Sequence, residues 1–300
     1  MYPSLFLYTV IMIHIVRRNK EELSMAELGL GTMSILKHGE AEGRRILEAA
    51  YDAGIRHFDT ADVYDHFKVE RLVGSTFAGR RDELFLTSKG GNVRTEDGMC
   101  WDPSAAYLEQ ALADSLERLQ TDYLDLYYVH GGTIEDDLDE TIAFMRQQKQ
   151  AGVVRQIGLS SIRPNVIHYW LEHGELDVLM TPYSLLDRRV ESLDLDIPIV
   201  GRGPLAKGLL TAEWSERLTD KGFEAWTASE LRDVLPTIPT PIQAYALAAA
   251  KRTCAVVLPG ASSVDQLNEL IAANQADVDS DKLDELLARL PIHPYTKHAT

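Results

Sequence analysis

Residues 57–64 of this chain read HFDTADVY and continue a short segment that begins at Ile55. The segment from Ile55 to Phe58 has the size of a buried strand and contains β-branched and aromatic residues. A strand that ends in Asp59, with Tyr64 five residues later, places a carboxylate and a phenol at the same rim of a sheet. Taken alone, the stretch is explained at least as well by purely structural roles, in which the Asp caps the next helix and the Tyr packs over a loop.

Two later segments favour a chemical interpretation of these residues. Residues 83–88 (ELFLTS) are followed by Lys89, and residues 123–129 (YLDLYYV) are followed by His130. In a parallel α/β barrel, the residues just past the carboxyl ends of the strands converge on one face. Four side chains are therefore expected to meet there: Asp59, Tyr64, Lys89 and His130.

These four groups have a shared chemical logic. A phenol has an unperturbed pKa of about 10, which is too high for easy proton donation at neutral pH. A nearby ammonium favours the phenolate and lowers the pKa, and a buried carboxylate keeps the ammonium charged and in position. An imidazole can hydrogen-bond the oxygen on which charge develops. The set predicts a general acid beside a polarised carbonyl group.

From Leu28 onward, the chain alternates apolar strands with amphipathic helices. We predict strands over residues 28–32, 55–58, 83–88, 123–129, 153–159, 177–180, 197–200 and 254–258. We predict helices over residues 40–53, 68–77, 104–119, 139–151, 164–172, 241–252, 264–273 and 279–290. This order, without a linker or a composition break, predicts the α/β class with a single-domain (β/α)8 TIM barrel over residues 25–300. Residues 187–196 leave little room for a sixth outer helix, and residues 211–235 are interpreted as an excursion over one face.

Composition limits the classes of function. The 300 residues are 45% hydrophobic, enough for a core, and carry a formal charge of −16. Non-specific binding to nucleic acid needs a basic face, so no nucleic-acid partner is expected. The two cysteines, Cys100 and Cys254, have neither metal-ligand spacing nor a disulfide pattern. We therefore expect no metal site and a reducing, cytoplasmic location, and the oligomeric state stays open.

Residues 1–24 precede the regular alternation. Residues 5–16 are mostly apolar and are followed by basic residues. The run is too short to span a bilayer, and its positive charges come after it, unlike those of a secretory signal. No membrane partner is expected. We interpret residues 1–24 as an N-terminal extension, either an added strand or hairpin under the barrel or an upstream start with Met25 as an alternative initiator.

Carbonyl reduction requires a hydride that amino-acid side chains cannot supply, so the chemistry implies a dinucleotide. The usual glycine fingerprint is incomplete, because Gly29 and Gly31 are followed by Ser34 at the third glycine position. No helix follows these residues at once. They fit a tight turn at a strand end at least as well as a phosphate site.

Another segment offers a better phosphate site. Residues 258–263 (LPGASS) follow the eighth strand and open a helix, so they present backbone amides, hydroxyls and a helix dipole to an anion. The structural alternative is a loop whose serines only cap the helix. Residues 201–208 add Arg202 and Lys207 near the same region, which suits a pyrophosphate. Residues 160–161, both Ser, could hydrogen-bond a carboxamide.

Taken together, these motifs give the chain a family resemblance. It resembles the aldo-keto reductases, most closely the bacterial branch whose fourth strand continues into HGGTIED, here residues 130–136. The matching segments are residues 29–32 (GLGT), 58–64 (FDTADVY), 87–89 (TSK), 125–130 (DLYYVH), 158–161 (GLSS), 183–188 (YSLLDR), 203–210 (GPLAKGLL) and 259–262 (PGAS). Their order and spacing cover about residues 25–275.

The resemblance implies a catalytic tetrad in which Tyr64 donates the proton and Lys89 depresses the pKa of Tyr64. Asp59 would hold Lys89, and His130 would orient the carbonyl group. The resemblance also implies cofactor contacts. These are Ser160, Ser161 and Arg202 at the nicotinamide, Gly203, Pro204, Leu205, Lys207 and Gly208 at the pyrophosphate, Pro259, Gly260, Ala261, Ser262, Gln266 and Glu269 toward the adenosine, and Gly31 and Thr32 at the first strand.

Three positions depart from the family pattern. Residues 177–182, before Tyr183, contain no Gln to hold the nicotinamide, and Leu270 stands at the position where the family often has Asn. Ser262 and Ser263 stand where many members carry Lys or Arg for the 2′-phosphate of NADPH. The resemblance implies NADPH as the cofactor, with NADH not excluded.

Three functions are compatible with these residues. The first is an NAD(P)H-dependent oxidoreductase that reduces aldehydes or ketones to alcohols, with a small-molecule substrate set by loops such as residues 90–102 and 211–235. The second is a cofactor-binding regulatory subunit with little or no turnover, like the potassium-channel β subunits that the family includes. The third, a lyase or aldolase with Lys89 as a Schiff base, needs that lysine free of a carboxylate.

Overall fold

Ten strands occur in the structure, a computed structural model that describes residues 27–95 and 98–296. They are β1 (Leu30–Gly31), β2 (His57–Asp59), β3 (Phe85–Gly90), β4 (Asn92–Thr95), β5 (Gly98–Trp101), β6 (Leu124–His130), β7 (Val154–Ser160), β8 (Val178–Pro182), β9 (Ile199–Arg202) and β10 (Val256–Leu258). Eight of them form a parallel sheet in the order β1-β2-β3-β6-β7-β8-β9-β10. The proposed extension over residues 1–24 lies outside the described residues.

The first and last strands of this sheet also hydrogen-bond to each other. The Gly29 N–H donates to the Val257 carbonyl at 3.0 Å, and the Gly31 N–H donates to the Pro259 carbonyl at 2.9 Å. In return, the Val257 N–H donates to the Glu27 carbonyl at 2.8 Å. These bonds close the sheet, so the predicted (β/α)8 barrel is confirmed.

Helices on the outside connect the strands. Within the described ranges they are α1 (Glu40–Asp52), α2 (Lys68–Thr76), α3 (Ala105–Leu119), α4 (Leu138–Gln150), α5 (Pro164–His173), α6 (Trp214–Arg217), α7 (Ala228–Val234), α8 (Ile242–Thr253), α9 (Val264–Gln275) and α10 (Ser280–Arg289). Side-chain caps start several of them, such as Ser104, which accepts the Tyr107 N–H at 3.3 Å. On α3, the sequence places Leu108, Ala111, Leu112, Ser115, Leu116 and Leu119 at helical spacing, and all of them are buried except Leu116, which is partly buried.

Helices α2 and α3 pack unusually close together at Gly74. A Cβ atom at this position would lie 2.5 Å from the Arg118 carbonyl oxygen, so a larger residue would clash with backbone. The close approach brings the Arg118 guanidinium on α3 to the Glu70 carboxylate on α2, at 2.6 Å. This contact sets the position of a buried charge cluster behind the barrel rim.

Residues 90–102, predicted as a loop, contain an antiparallel hairpin instead. Strands β4 and β5 pair from Asn92 opposite Trp101 to Thr95 opposite Gly98. Gly98 begins β5, and its φ of 131° is a backbone conformation that favours glycine. The prediction of a loop over residues 90–102 did not include this hairpin.

Residues 187–196 form a short 3₁₀ turn at Arg189–Leu193, and no outer helix occurs there. The C-terminal helix is tied down beside this turn. The Arg188 guanidinium donates to the carbonyls of Leu287 at 2.8 Å and Leu290 at 3.2 Å, and it pairs with Glu191 at 2.8 Å. The expectation of a missing sixth helix is confirmed, and residues 211–235 carry the short helices α6 and α7.

Several strands run further at their carboxyl ends than the apolar pattern predicts. Asp59, Lys89 and His130 were expected just past their strands, but they lie within β2, β3 and β6. Lys89 stands in register with Tyr128, and His130 with Ser160. The parallel neighbours supply backbone hydrogen bonds beyond the end of each apolar run, and the apolar pattern of one strand cannot reveal them.

The barrel interior has its own small core. It consists of Phe85, Leu126, Tyr128, Val178, Met180, Val200, Val256 and Leu258. A larger core lies between the sheet and the outer helices. Across residues 27–95 and 98–296, no helix has both the length and the apolar character needed to cross a bilayer.

Candidate active site

Strand alternation brings the predicted polar residues to one layer at the rim of the barrel. Side chains two apart on a strand face the same side, and Phe85 and Leu126 belong to the interior core. Lys89 and His130 each follow one of these core residues by four positions, so they face the interior as well. By the same rule, Ser160 and Arg202 complete the layer at the ends of β7 and β9.

The centre of this layer is a buried ion pair. The Lys89 ammonium lies 2.6 Å from the Asp59 carboxylate, and the two side chains are 1% and 6% exposed. Asp59 also accepts the Thr87 hydroxyl at 2.7 Å, and Lys89 donates to the Thr60 carbonyl at 2.5 Å. Burial alone would lower the pKa of Lys89. The charge of Asp59 and the hydrogen bonds to Asp59 and Tyr64 outweigh burial and leave the pKa raised.

The Tyr64 hydroxyl lies 3.4 Å from the Lys89 ammonium, and Tyr64 itself is half-buried. The ammonium is 5.1 Å from the centre of the Tyr64 ring. The structure therefore brings three of the four predicted residues into direct contact in the order Asp59, Lys89, Tyr64. Such a chain aims a fixed positive charge at a phenol oxygen.

The fourth predicted residue, His130, is partly buried within range of the same charges. Burial lowers the pKa of His130 well below its ordinary value, and the charges of Lys89 and Arg202 lower it further. Its imidazole is therefore neutral at physiological pH. Among the described residues, its Nδ1 atom has no hydrogen-bond partner. A neutral imidazole carries one N–H, which it can donate to a ligand oxygen.

Residues 60–67, here called the Tyr64 turn, carry the phenol from β2 toward α2. Three consecutive residues after Tyr64 have left-handed backbone, with φ of 42° at Asp65, 54° at His66 and 68° at Phe67. A left-handed conformation costs a non-glycine residue roughly 1–2 kcal/mol. Contacts with other elements must therefore hold the turn, and one of them is the Arg118 guanidinium 4.9 Å above the Phe67 ring.

The residues predicted to bind the nicotinamide and the pyrophosphate lie on neighbouring strand ends. Ser160 and Ser161 are buried, at 4% and 5% exposure, where β7 ends. Arg202 is exposed at the end of β9, and Gly203 after it has φ of 70° with open space where a Cβ would stand. The rest of the predicted group, Pro204, Leu205, Lys207 and Gly208, continues this loop into a 3₁₀ turn. An open strand end next to buried hydroxyls and two cations can hold a dinucleotide.

The loop over residues 259–263 lies beside the first strand, because Gly31 pairs with Gly260. Two amides, one in the loop and one at the start of α9, are engaged within the protein. The Gln266 amide oxygen accepts the Ser262 N–H at 2.9 Å, and the Glu42 carboxylate on α1 accepts the Val264 N–H at 3.0 Å. Ser263 caps α9 through the Gln266 N–H at 3.2 Å. The alternative of a helix-capping serine is thus realised at Ser263.

Three other residues of the predicted cofactor set make contacts within the protein. The Thr32 hydroxyl is buried and donates to the Asp59 carbonyl at 2.9 Å. The Glu269 carboxylate is exposed and accepts from the Gln243 amide at 3.5 Å. Ala261 is buried, and its carbonyl accepts the Ser34 hydroxyl at 3.3 Å.

Two groups near the rim escaped sequence reasoning. Asp62 of the Tyr64 turn is buried and accepts the Tyr107 hydroxyl of α3 at 3.2 Å. Tyr295, from the C-terminal tail, lies close enough to Arg189 and Arg202 for their charges to act on it. The pKa of Tyr295 is nevertheless raised, because burial dominates. Asp62 could have been found as the second carboxylate of the HFDTADVY stretch, but Tyr295 carries no periodic signal.

Comparison with known proteins identifies the family of the chain. A family model described as the aldo/keto reductase family matches residues 27–288. The chain belongs to the aldo/keto reductase family. Aldo/keto reductases are oxidoreductases that act on small carbonyl substrates and use nicotinamide cofactors. The predicted family is confirmed, and the chain is accordingly an oxidoreductase of carbonyl compounds.

Three individual relatives agree with this family assignment. The Bacillus subtilis (strain 168) protein described as uncharacterized oxidoreductase YqkF is 38% identical over 297 residues, which is 92% of this chain and 96% of that protein. The NADH-specific methylglyoxal reductase of Escherichia coli (strain K12) is 26% identical over 317 residues, covering 90% of this chain and 97% of that one. The solved structure of aldo-keto reductase AKR11C1 from Bacillus halodurans, holo form, has a TM-score of 0.86 and 38% identity over 94% of this chain and 97% of that one.

Proposed function

We propose that this aldo/keto reductase is an NAD(P)H-dependent enzyme that reduces aldehydes or ketones to alcohols with Tyr64 as the general acid. The observation that carries the proposal is the contact chain at the rim of the barrel. In it, the Lys89 ammonium lies 2.6 Å from the Asp59 carboxylate and 3.4 Å from the Tyr64 hydroxyl. A positive charge next to a phenol oxygen favours release of its proton.

Each residue of the tetrad has a separate task in this mechanism. Tyr64 gives its hydroxyl proton to the substrate carbonyl oxygen, and Lys89 stabilises the phenolate that is left behind. Asp59 keeps Lys89 charged and in place. The neutral His130 imidazole hydrogen-bonds the carbonyl oxygen and orients it. When bound, the reduced nicotinamide supplies the hydride that adds to the carbonyl carbon.

The residues at the rim fit a dinucleotide. The neutral His130 imidazole and the hydroxyls of Ser160 and Ser161 are polar groups that a carbonyl group and a carboxamide can use. Gly203 leaves open space at the end of β9, where Arg202 and Lys207 add positive charge. In this proposal, residues 203–208 hold the pyrophosphate, while Pro259, Gly260, Ala261, Ser262, Gln266 and Glu269 hold the adenosine end, with Gly31 and Thr32 beside them.

A Schiff-base lyase or aldolase is disfavoured by the same contacts. Schiff-base formation needs a neutral amine. The pKa of Lys89 is raised because Asp59 and Tyr64 outweigh the effect of burial, so the amine stays protonated. Asp59 also occupies the space next to the nitrogen, at 2.6 Å.

Cofactor oxidation tests the proposed function directly. Purified protein mixed with NADPH and an aromatic aldehyde should consume NADPH, followed by its near-ultraviolet absorbance, and a parallel series with NADH gives the preference. Cofactor fluorescence measured without substrate reports binding separately. Tight binding without turnover on a panel of aldehydes and ketones would contradict the proposal and favour the regulatory-subunit function.

We propose NADPH as the cofactor from the family resemblance, and Glu42 as the residue that weakens this preference and leaves room for NADH. The Glu42 carboxylate occupies the Val264 N–H at the start of α9, where a 2′-phosphate on the adenosine would profit from the helix dipole. A negative charge there repels a phosphate. The Arg45 guanidinium, 2.8 Å away, offsets part of this charge but is itself exposed.

Glu42→Gln is therefore expected to tighten NADPH binding by roughly two- to fivefold, which corresponds to the 0.3–1 kcal/mol typical of a charge at a helix terminus. NADH binding should change little, because NADH has no phosphate at this position. Fluorescence titration with both cofactors measures the two dissociation constants. Glu48→Gln, an equal charge change on the exposed face of α1, is the matched control. Equal changes for NADPH and NADH in Glu42→Gln would contradict the assignment of Glu42.

A further inference from the structure

The Tyr64 turn contains a second carboxylate that the proposed mechanism does not use. Asp62 is 1% exposed and lies two residues before Tyr64. Its backbone N–H donates to the Lys89 carbonyl at 3.1 Å, which fixes the start of the turn on β3. Its carboxylate does not share the Lys89 ammonium with Asp59, since the ammonium donates to Asp59, Thr60 and Tyr64.

The Asp62 carboxylate joins the turn to α3 and to the hairpin. One oxygen accepts the Val63 N–H at 2.6 Å, and the other accepts the Tyr107 hydroxyl at 3.2 Å. The Tyr107 hydroxyl is also 3.5 Å from the carbonyl oxygen of Asn92, the first residue of β4. An ionised Asp62 accepts on both oxygens at once, so it satisfies the Val63 N–H and the Tyr107 hydroxyl together.

The surroundings of Asp62 make this ionisation costly. Glu70 on α2 is a fully buried carboxylate, and it takes the Arg118 guanidinium at 2.6 Å and the Ser88 hydroxyl at 2.6 Å. Within the described residues, no Lys, Arg or His lies within ion-pair distance of Asp62. Tyr127 on β6 faces the same charges, with a buried hydroxyl that has no partner among the described residues.

Burial and the charge of Glu70 raise the pKa of Asp62 to about 7, although the Val63 N–H, the Tyr107 hydroxyl and the Arg118 charge oppose the shift. A protonated Asp62 carries a hydrogen that competes with one of its two donors. The turn that follows is strained at Asp65, His66 and Phe67 and depends on such contacts. Protonation of Asp62 thus removes a contact from a segment that holds the Tyr64 hydroxyl near Lys89.

We propose that Asp62 is a positioning residue for Tyr64: as a carboxylate it clamps the Tyr64 turn to α3 through Tyr107, and its protonation releases the clamp and lowers turnover. The inference rests on the proposed reductase function, because its effect is read through Tyr64. It adds a proton-sensitive step that the four tetrad residues do not supply. The pH range in which turnover responds to this protonation lies near neutrality.

The test compares the dependence of kcat on pH for the full-length protein and its variants, from about pH 5.5 to pH 8.5. In the unmodified protein, kcat should fall about tenfold per pH unit on the acid side of neutrality, as for loss of one ionised group. Asp62→Asn keeps an acceptor for the Val63 N–H but cannot titrate. At pH 8 the kcat of Asp62→Asn should be lower than that of the unmodified protein. Its pH profile should lack the acid limb, which is the fall in kcat below neutral pH.

Tyr107→Phe provides a second, milder variant. Removal of the hydroxyl breaks the contact between the Tyr64 turn and α3 at every pH, so kcat at pH 8 should be lower and the acid limb should be much smaller, although Asp62 can still titrate. Asp65→Asn is the matched control, since Asp65 is exposed in the same turn and pairs only with Lys68, at 3.6 Å. Its acid limb should match that of the unmodified protein.

A purely structural role for Asp62 would lower kcat in Asp62→Asn equally at every pH and leave the limb in place, and that result would overturn the proposal. An acid limb of unchanged size in Tyr107→Phe would also overturn it. Infrared difference spectra between pH 8 and pH 6 add a readout without turnover, because the protonated-carboxyl band should be weaker in Asp62→Asn. If no carbonyl substrate is reduced, the proposed function fails, and the infrared band still decides whether Asp62 titrates there.

Discussion

Tyr64→Phe is expected to lower kcat for carbonyl reduction by roughly 10²–10⁴-fold, the range of positioned general acid catalysis. The substitution removes only the hydroxyl, whose oxygen lies 3.4 Å from the Lys89 ammonium. The half-buried ring stays, so the packing of the turn should be retained. Without the Tyr64 hydroxyl, no acid is in place to protonate the substrate carbonyl oxygen as negative charge develops on it.

Steady-state kinetics and cofactor titration separate loss of chemistry from loss of binding. The dissociation constant for the cofactor should be unchanged in Tyr64→Phe, because the hydroxyl contributes to the chemical step and not to cofactor binding. Tyr51→Phe is a matched control, because Tyr51 lies at the end of α1 and its hydroxyl contacts Glu83 instead of Lys89. A Tyr64→Phe enzyme with the unmodified rate would show that another group donates the proton.

Asp59→Asn is expected to lower the free energy of unfolding by about 3–5 kcal/mol, the typical cost of removing one partner from a buried ion pair. The ammonium of Lys89 is 1% exposed, and its other contacts are neutral oxygens. Asparagine keeps the acceptor for the Thr87 hydroxyl but leaves the buried charge without a counter-ion. Urea denaturation followed by circular dichroism measures the change.

A double variant distinguishes the unpaired charge from a general disturbance of the barrel. Adding Lys89→Met to Asp59→Asn removes the charge and should recover most of the lost stability, although the enzyme would be inactive. Asp284→Asn is the surface control, since it breaks an exposed pair with Arg252 at 2.9 Å and should cost less than about 1 kcal/mol. No recovery in the double variant would contradict the ion-pair explanation.

The net charge of −16 and the cationic rim have different consequences. An anionic protein repels an anionic dinucleotide at long range, and salt screens this repulsion over about 8–10 Å. At short range the rim offers Lys89, Arg202 and Lys207, and the first of these is already paired with Asp59. Cofactor binding in the proposed site therefore depends on the loop after β9 and on helix termini.

Local pattern was sufficient to predict the barrel and the order of its strands. Apolar runs of strand length alternate with helical stripes such as the one on α3, and this alternation has few solutions other than a parallel α/β fold. Boundaries were less accurate: β3 extends to Gly90 and β6 to His130 because each strand pairs with parallel neighbours. The hairpin at residues 92–101 was missed, since its pairing outweighs the irregularity that its glycines suggest.

The tetrad was predictable for the same reason that the strands were. Lys89 and His130 have the parity of the interior residues Phe85 and Leu126 on their strands, and Asp59 has the parity opposite to Phe58 of the outer core. These three residues therefore reach one layer without any long-range information. No comparable rule predicts side-chain contacts between segments that are far apart in the sequence. Tyr107 reaches Asp62 across 45 positions, and Glu42 reaches Val264 across 222.

Residue order and periodicity thus specify which fold forms and which side chains meet at the barrel rim, because strand alternation converts spacing along the chain into direction in space. The electrostatic state of those side chains depends on folding instead. Asp62 becomes a proton-sensitive group because the barrel buries it beside Glu70, and Glu42 covers a helix terminus because α1 packs against α9. Burial and the distance between charges exist only in three dimensions, so these properties belong to the packed structure.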